Sequence, residues 1–146
     1  MKTVIIYYTF GGSTKNEAER LAVERDAPVY RVNEKRKRSF FGTFITGIPW
    51  AIKRKAPEVE QIDVNLQDYD RIIIGSPVWA SYPAPAFNAI VKMLPPGKEV
   101  EIFLCSSSGD SAASADGTKE LIVKQGCTVT TYRDVQTGST PWKKKV

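Results

Sequence analysis

The chain has 146 residues, 42% of them hydrophobic and 25% charged, enough for one soluble domain with its own core. It has no histidine and two cysteines, Cys105 and Cys127, which excludes histidine triads and His-ligated metals, disfavours zinc and suits a reducing compartment. The net charge of +5 is concentrated: 34–38, 53–55 and 143–145 hold 10 of the 21 basic residues and one acid, so the remainder is mildly acidic and nucleic-acid binding is not expected.

Side chains so poor in acid–base groups leave the chemistry to a bound organic cofactor. No basic-then-apolar leader opens the sequence, and no apolar run approaches the ~20 residues a membrane-spanning helix needs. The expected location is cytoplasmic.

In chain order, "TVIIYY" (3–8) is continuously apolar, as a buried parallel strand is. The loop "TFGGSTKN" (9–16) leads into a helix over 13–26, with Ala18, Leu21 and Ala22 on one face. Ser13 or Thr14 is placed to cap it, with Glu17 and Glu19 in its early turns. "PVYRV" (28–32) is a short second strand.

Next comes "KRKRSFFGTFITGIPWAIKRK" (35–55), in which 39–52 are uncharged between two basic clusters. The preferred reading is a crossover helix with Phe41, Phe44, Ile45 and Ile48 facing the sheet, bent at Pro49. The alternative is a membrane-surface contact or partner-docking arm through 35–55, too short to span a bilayer.

"RIIIGS" (71–76) is the third strand, and the loop "SPVWASYPAP" (76–85) follows. A helix over 83–94 opens on prolines and stops before Pro95 and Pro96. "EIFLCS" (101–106) is the fourth strand, followed by "SSSGDSAAS" (106–114) and a helix that starts near 115–118 and ends at Gly126. "CTVTTYRDV" (127–135) alternates threonine with apolar residues, as a half-exposed edge strand does. The rest, 136–146, reads as a short basic tail.

Alternating strands and helices predict an α/β fold with an open, doubly wound parallel sheet, one domain over 1–135. Ligands bind such sheets beyond the carboxyl ends of the strands, where the strand order reverses. Three loops lie there. In the first, glycines let backbone N–H groups turn inward, Thr9, Ser13 and Thr14 offer hydroxyls, and the helix N-terminus adds positive potential: an anion cradle. It is neither a P-loop nor a dinucleotide fingerprint. A tight turn before a capped helix is the plainer reading. In the second, Trp79 offers a plane for a flat heterocycle, or simply covers the sheet end. The third loop's serines either join the site or are solvated.

"VIIYYTFGGSTKNEAERLA", "DYDRIIIGSPVWASYPAP" and "EIFLCSSSGDSA" together resemble the flavodoxin family, in its small FMN-binding branch. The resemblance spans roughly 1–135. It implies a flavodoxin-like five-stranded sheet in order 2-1-3-4-5 with FMN at the switch point. The phosphate would sit on Thr9, Phe10, Gly11, Gly12, Ser13 and Thr14. The ring would be bordered by Pro77, Val78, Trp79 and Ala80, and by Ser106, Ser107, Ser108 and Gly109, with Trp79 matching the family's stacking aromatic. The implied function is electron transfer or a small two-electron oxidoreductase, with a redox partner protein or a small-molecule electron acceptor. The alternative is a non-catalytic binding or regulatory module that has lost FMN.

Four departures from the family shape these expectations. Gly11 stands where the family commonly has a second hydroxyl. The third loop has no aromatic, which leaves one ring face open to Tyr82 or a substrate. No glycine lies between Gly75 and Gly97, and Pro77, Pro83 and Pro85 stiffen the loop. A peptide flip to positive φ is therefore costly, and two-electron chemistry is preferred. The chain is basic where carriers tend to be acidic, so any carrier docking would use the basic patches on an acidic partner.

No catalytic residue is assigned; Asp110 is the nearest acid by position, and Cys105 is a strand-end packing residue. The family's usual last helix is lacking, which predicts a bare apolar sheet face covered by a homodimer, a partner or a swapped segment.

Overall fold

Five strands lie parallel in one sheet: β1 (Thr3–Tyr7), β2 (Val29–Arg31), β3 (Arg71–Trp79), β5 (Glu99–Ser106) and β6 (Thr128–Gln136), in the order β2-β1-β3-β5-β6. This is the expected 2-1-3-4-5 topology, with one addition. A two-residue strand β4 (Tyr82–Pro83) folds back antiparallel on the end of β3. The computed structural model describes residues 1–107 and 110–137; Ser108, Gly109 and 138–146, the bulk of the expected tail, lie outside the described residues.

The strands read as apolar runs because both faces are buried. Val4, Ile6, Ile72, Ile74, Val100, Ile102 and Leu104 pack on one face with Phe87, Ile90 and Val91 of α4 (Pro85–Met93) and Ile122 of α5 (Ala115–Lys124). Ile5, Tyr7, Ile73, Phe103 and Cys105 pack on the other beneath Ala18 and Leu21 of α1 (Ser13–Arg25). Each such isoleucine contributes about 1.5–3 kcal/mol when fully buried. α5 stops before Gly126, whose φ of +83° favours glycine.

Where a bare apolar sheet face was expected, the described residues beyond α1 include paired charges lying over the apolar cluster. On the α1 side, beyond that helix, Glu101 pairs with Arg25 at 2.8 Å and with Arg71 at 3.4 Å. Arg133 pairs with Glu17 at 2.6 Å and stands over the Phe103 ring. These long side chains cover apolar surface with their stems while their charges neutralise one another.

The basic-flanked segment is helical, as expected, but packs through a different face. Its run consists of α2 (Phe40–Gly42), a π-helical turn (Thr43–Gly47) and α3 (Ile48–Ile52). The side chains that go inward are Thr43, Gly47 and Ala51, while Phe41, Phe44 and Ile45 are exposed and Ile48 is only half-buried. The reason is Trp79: a Cβ at Gly47 would come within 2.9 Å of its ring, so only a small-residue face can approach. Pro49 lies inside this continuous helical run and has no N–H to give the preceding turn, and the irregularity lies in the π-helical turn ahead of it.

Polar contacts hold the run's approach. Arg38 and Glu34 form a buried ion pair at 3.1 Å. The Tyr8 hydroxyl donates to Glu34 at 3.1 Å, and Arg38 donates to Thr46 Oγ1 at 2.7 Å. Burial and the Glu34 carboxylate both push the Tyr8 phenol's pKa upward, so it remains a donor. Among the described residues no helix is long and apolar enough to cross a membrane.

Candidate functional site

The three loops meet at the carboxyl ends of β1, β3 and β5. The first begins as Tyr8 N–H donates to Gly75 O at 3.0 Å, carrying the β1–β3 pairing one residue further. Thr9 is buried, and its Oγ1 accepts from Gly12 N–H at 3.0 Å, closing a tight turn. Gly12 has φ +99°, a conformation suited to glycine, and stands at the N-cap of α1 with no side-chain cap. The expected Ser13 or Thr14 cap is therefore not made. Ser13 begins the helix and is exposed, while Thr14 is buried and its hydroxyl hydrogen-bonds Cys105. Burial pushes the Cys105 thiol up to about 11, so it stays protonated and acts as a packing group, as expected.

The first-turn N–H groups of an α-helix have no intrahelical acceptor. Here no side chain caps them, and a Cβ at either Gly11 or Gly12 would meet nothing within 4 Å. The turn is thus an open pocket of backbone donors at the positive end of a helix, suited to an anion. A cavity of about 200 Å³ beside Thr9 and Phe10 is also lined by Arg31 and Lys37. Larger cavities of about 570 and 510 Å³ lie away from the three loops, along 34–39 with Trp50 and along 59–67.

The second loop is a hairpin. Trp79 pairs with Tyr82, and the two residues between them, Ala80 and Ser81, have φ of +52° and +73°. Positive φ at both central positions is the mark of a type I′ turn, which normally uses Asn-Gly or Gly-Gly. The absence of glycine was expected to keep this loop away from positive φ; the structure places two non-glycine residues there. Ser76 Oγ accepts from Ala84 N–H at 3.2 Å, fixing the base of the hairpin. Pro77 and Val78 are half-buried and Ala80 is exposed.

Trp79 stays at the rim. Its ring stands edge-on to Phe10 at 5.6 Å and to Tyr8 at 6.2 Å, so it joins the first loop to the second. Tyr82, expected to be free to cover a ring face, lies under the Arg54 guanidinium at 4.9 Å.

The third loop is tied to the second by Ser114, whose Oγ donates to Ser81 O at 2.5 Å. Ser106 Oγ accepts from Asp110 N–H at 3.2 Å, and Ser107 is exposed. Asp110 accepts from Ala112 N–H at 2.7 Å, which makes it a turn-forming carboxylate. Buried Ser111 donates to Asp134 at 2.5 Å and bonds the Tyr132 hydroxyl at 2.6 Å.

Sequence reasoning missed Tyr8, Gly47, Arg54 and Ser114. Arg54 reaches across from the crossover segment, donating to Thr118 Oγ1 at 2.9 Å and Ser114 O at 3.2 Å. Only the small-residue spacing of Thr43, Gly47 and Ala51 was a signal in the sequence; the other contacts span 26 or more positions.

An open parallel sheet with its loops converging at a reversal of strand order defines the switch-point class of nucleotide-binding α/β folds. No protein-family model and no curated protein matches the chain. Solved structures do. The flavoprotein of Lactobacillus acidophilus NCFM, in complex with FMN, superposes with TM-score 0.76 at 26% identity, covering 90% of this chain and 91% of that one. A protein of Bacteroides eggerthii DSM 20697 gives TM-score 0.80 at 18% identity over 94% and 89%. A flavodoxin from the domain Archaea gives 0.53 at 18% over 91% and 82%. The chain has the fold of the flavodoxin family.

Proposed function

We propose that this rim binds FMN and that the protein is a flavodoxin-like redox protein. The observation that carries the reading is the uncapped start of α1 behind an open two-glycine turn at the switch point, joined through Phe10 to Trp79. The similarity to an FMN-bound flavoprotein at 26% identity supports the same reading. Gly11 and Ser13, with the N–H of Thr14, would hold the phosphate, and Gly12, whose own N–H goes to Thr9 Oγ1, would set the turn that presents them. Phe10, Pro77, Val78, Trp79, Ala80 and the third loop from Ser106 would border the ring. Arg31 and Lys37 add positive potential beside the first loop. FMN supplies electron transfer in one- or two-electron steps, and the side chains bind, orient and shield it. The hairpin already holds positive φ at Ala80 and Ser81, so the cost of reaching it no longer favours two-electron over one-electron chemistry.

Titration of FMN into the purified chain, followed by flavin fluorescence, tests this. Saturable quenching is expected. Gly12→Ala, which forces a side chain onto φ +99°, should weaken binding by about tenfold or more through lost phosphate hydrogen bonds. A colourless protein that refuses FMN would support instead a binding or regulatory module on the same fold.

A further inference from the structure

The 40–52 run leaves its largest apolar side chains outside. Phe40, Phe41, Phe44, Ile45 and Ile52 are 47–72% exposed, and Phe40 and Phe44 stand edge-on at 5.4 Å. Spaced four apart along the run, 40/44 and 41/45 fall on one side of it. The other large exposed apolar residues among those described, Met1, Phe10, Val23 and Val123, lie on other elements.

On either side of this patch stand exposed Lys35, Arg36 and Lys37, and exposed Lys53 and Lys55. No acidic residue occurs between Glu34 and Glu58, and the Lys35–Glu58 pair is a loose, exposed one at 4.0 Å. Arg38 and Arg54 are turned inward, to Glu34 and to Thr118.

We propose that 35–55 docks on an anionic lipid bilayer. The run lies in the plane of the surface, with Phe40, Phe41, Phe44 and Ile45 in the headgroup–acyl boundary and the five exposed cations on acidic headgroups. Charge rules against a second copy, because a twofold contact through this patch would set like-charged clusters against each other. The patch also offers little to a protein surface. Ser39 Oγ already accepts from Gly42 N–H, and Thr43 and Thr46 hydroxyls donate to Ser39 O and Gly42 O. Protein interfaces use about one hydrogen bond per 100–200 Å², whereas a bilayer interior asks for none. Because Gly47 packs on Trp79, docking would place the rim beside the membrane surface.

The test is co-sedimentation of the full chain with vesicles of phosphatidylcholine alone or mixed with phosphatidylglycerol, at low and high salt. Pelleting with the anionic vesicles only, weakening as salt rises, is expected. Phe41→Ser/Phe44→Ser and, separately, Lys53→Gln/Lys55→Gln should each lower partitioning by about tenfold while keeping the wild-type unfolding midpoint. No pelleting with anionic vesicles, or pelleting that Phe41→Ser/Phe44→Ser leaves unchanged, overturns the proposal. So does light scattering that shows a dimer abolished by that variant. Binding to polyglutamate that needs Phe41 and Phe44, without vesicle binding, assigns the face to an acidic protein and likewise overturns it.

Discussion

Gly75 stands opposite Phe103 in the register between β3 and β5, and a Cβ there would fall 2.1 Å from the ring. The missing side chain is what lets a fully buried phenylalanine lie flat across the neighbouring strand. Phe103 cannot retreat, since Arg133 stands over it and Ile5 and Ile73 share its cluster. Gly75→Ala should therefore destabilise the fold by about 1–3 kcal/mol, the usual cost of overpacking a rigid core. Urea unfolding would show it as a lower midpoint at unchanged slope. The sequence showed a glycine ending an apolar run. It could not show the ring across the sheet, because that contact depends on register between strands 28 positions apart.

The element most at odds with its own sequence is the hairpin after β3. Residues without glycine hold a turn that needs positive φ twice, at a cost of about 1–3 kcal/mol each. The cost is sustained by ties from both sides: β4 pairing on β3, Ala84 N–H on Pro77 O at 3.0 Å, and Ser114 on the Ser81 carbonyl. Replacing Ala80 and Ser81 together by Asn-Gly should relieve the strain and stabilise the protein by about 1 kcal/mol or more. A rise in thermal midpoint with an unchanged near-ultraviolet tryptophan spectrum would check it. A fall would mean that the native side chains hold the turn by contacts of their own.

At the scale of the molecule, the sheet face beyond α1 is closed by charge. Hydrogen bonds from Arg20, and then from Arg133, hold the Glu17 carboxyl at about 2, well below the usual carboxylate range, against the partial burial that would raise it. A depressed folded-state pKa gives stability that is fully present above the unfolded carboxylate's value of ~4.3 and is lost as pH falls towards 2. Glu17→Gln should thus be less stable than wild type at neutral pH, by about 1 kcal/mol or less for so exposed a cluster. The gap should shrink below pH ~4.3 and close near pH ~2, followed by urea unfolding across that range.

The strand order was legible only through the likeness to the flavodoxin family, but the sequence by itself determined the alternation of strands and helices and the gathering of three loops at one rim. Those follow from local periodicity and from the short, right-handed connections a parallel sheet allows. Only the tertiary structure decided which face of 40–52 turns inward, because the large apolar residues there competed with the room beneath Trp79 and lost. It also decided that Thr14 faces Cys105 and that Arg54 reaches the third loop. Apolar patterning records how much surface a segment can bury; packing against a particular ring at a particular distance settles whether it does.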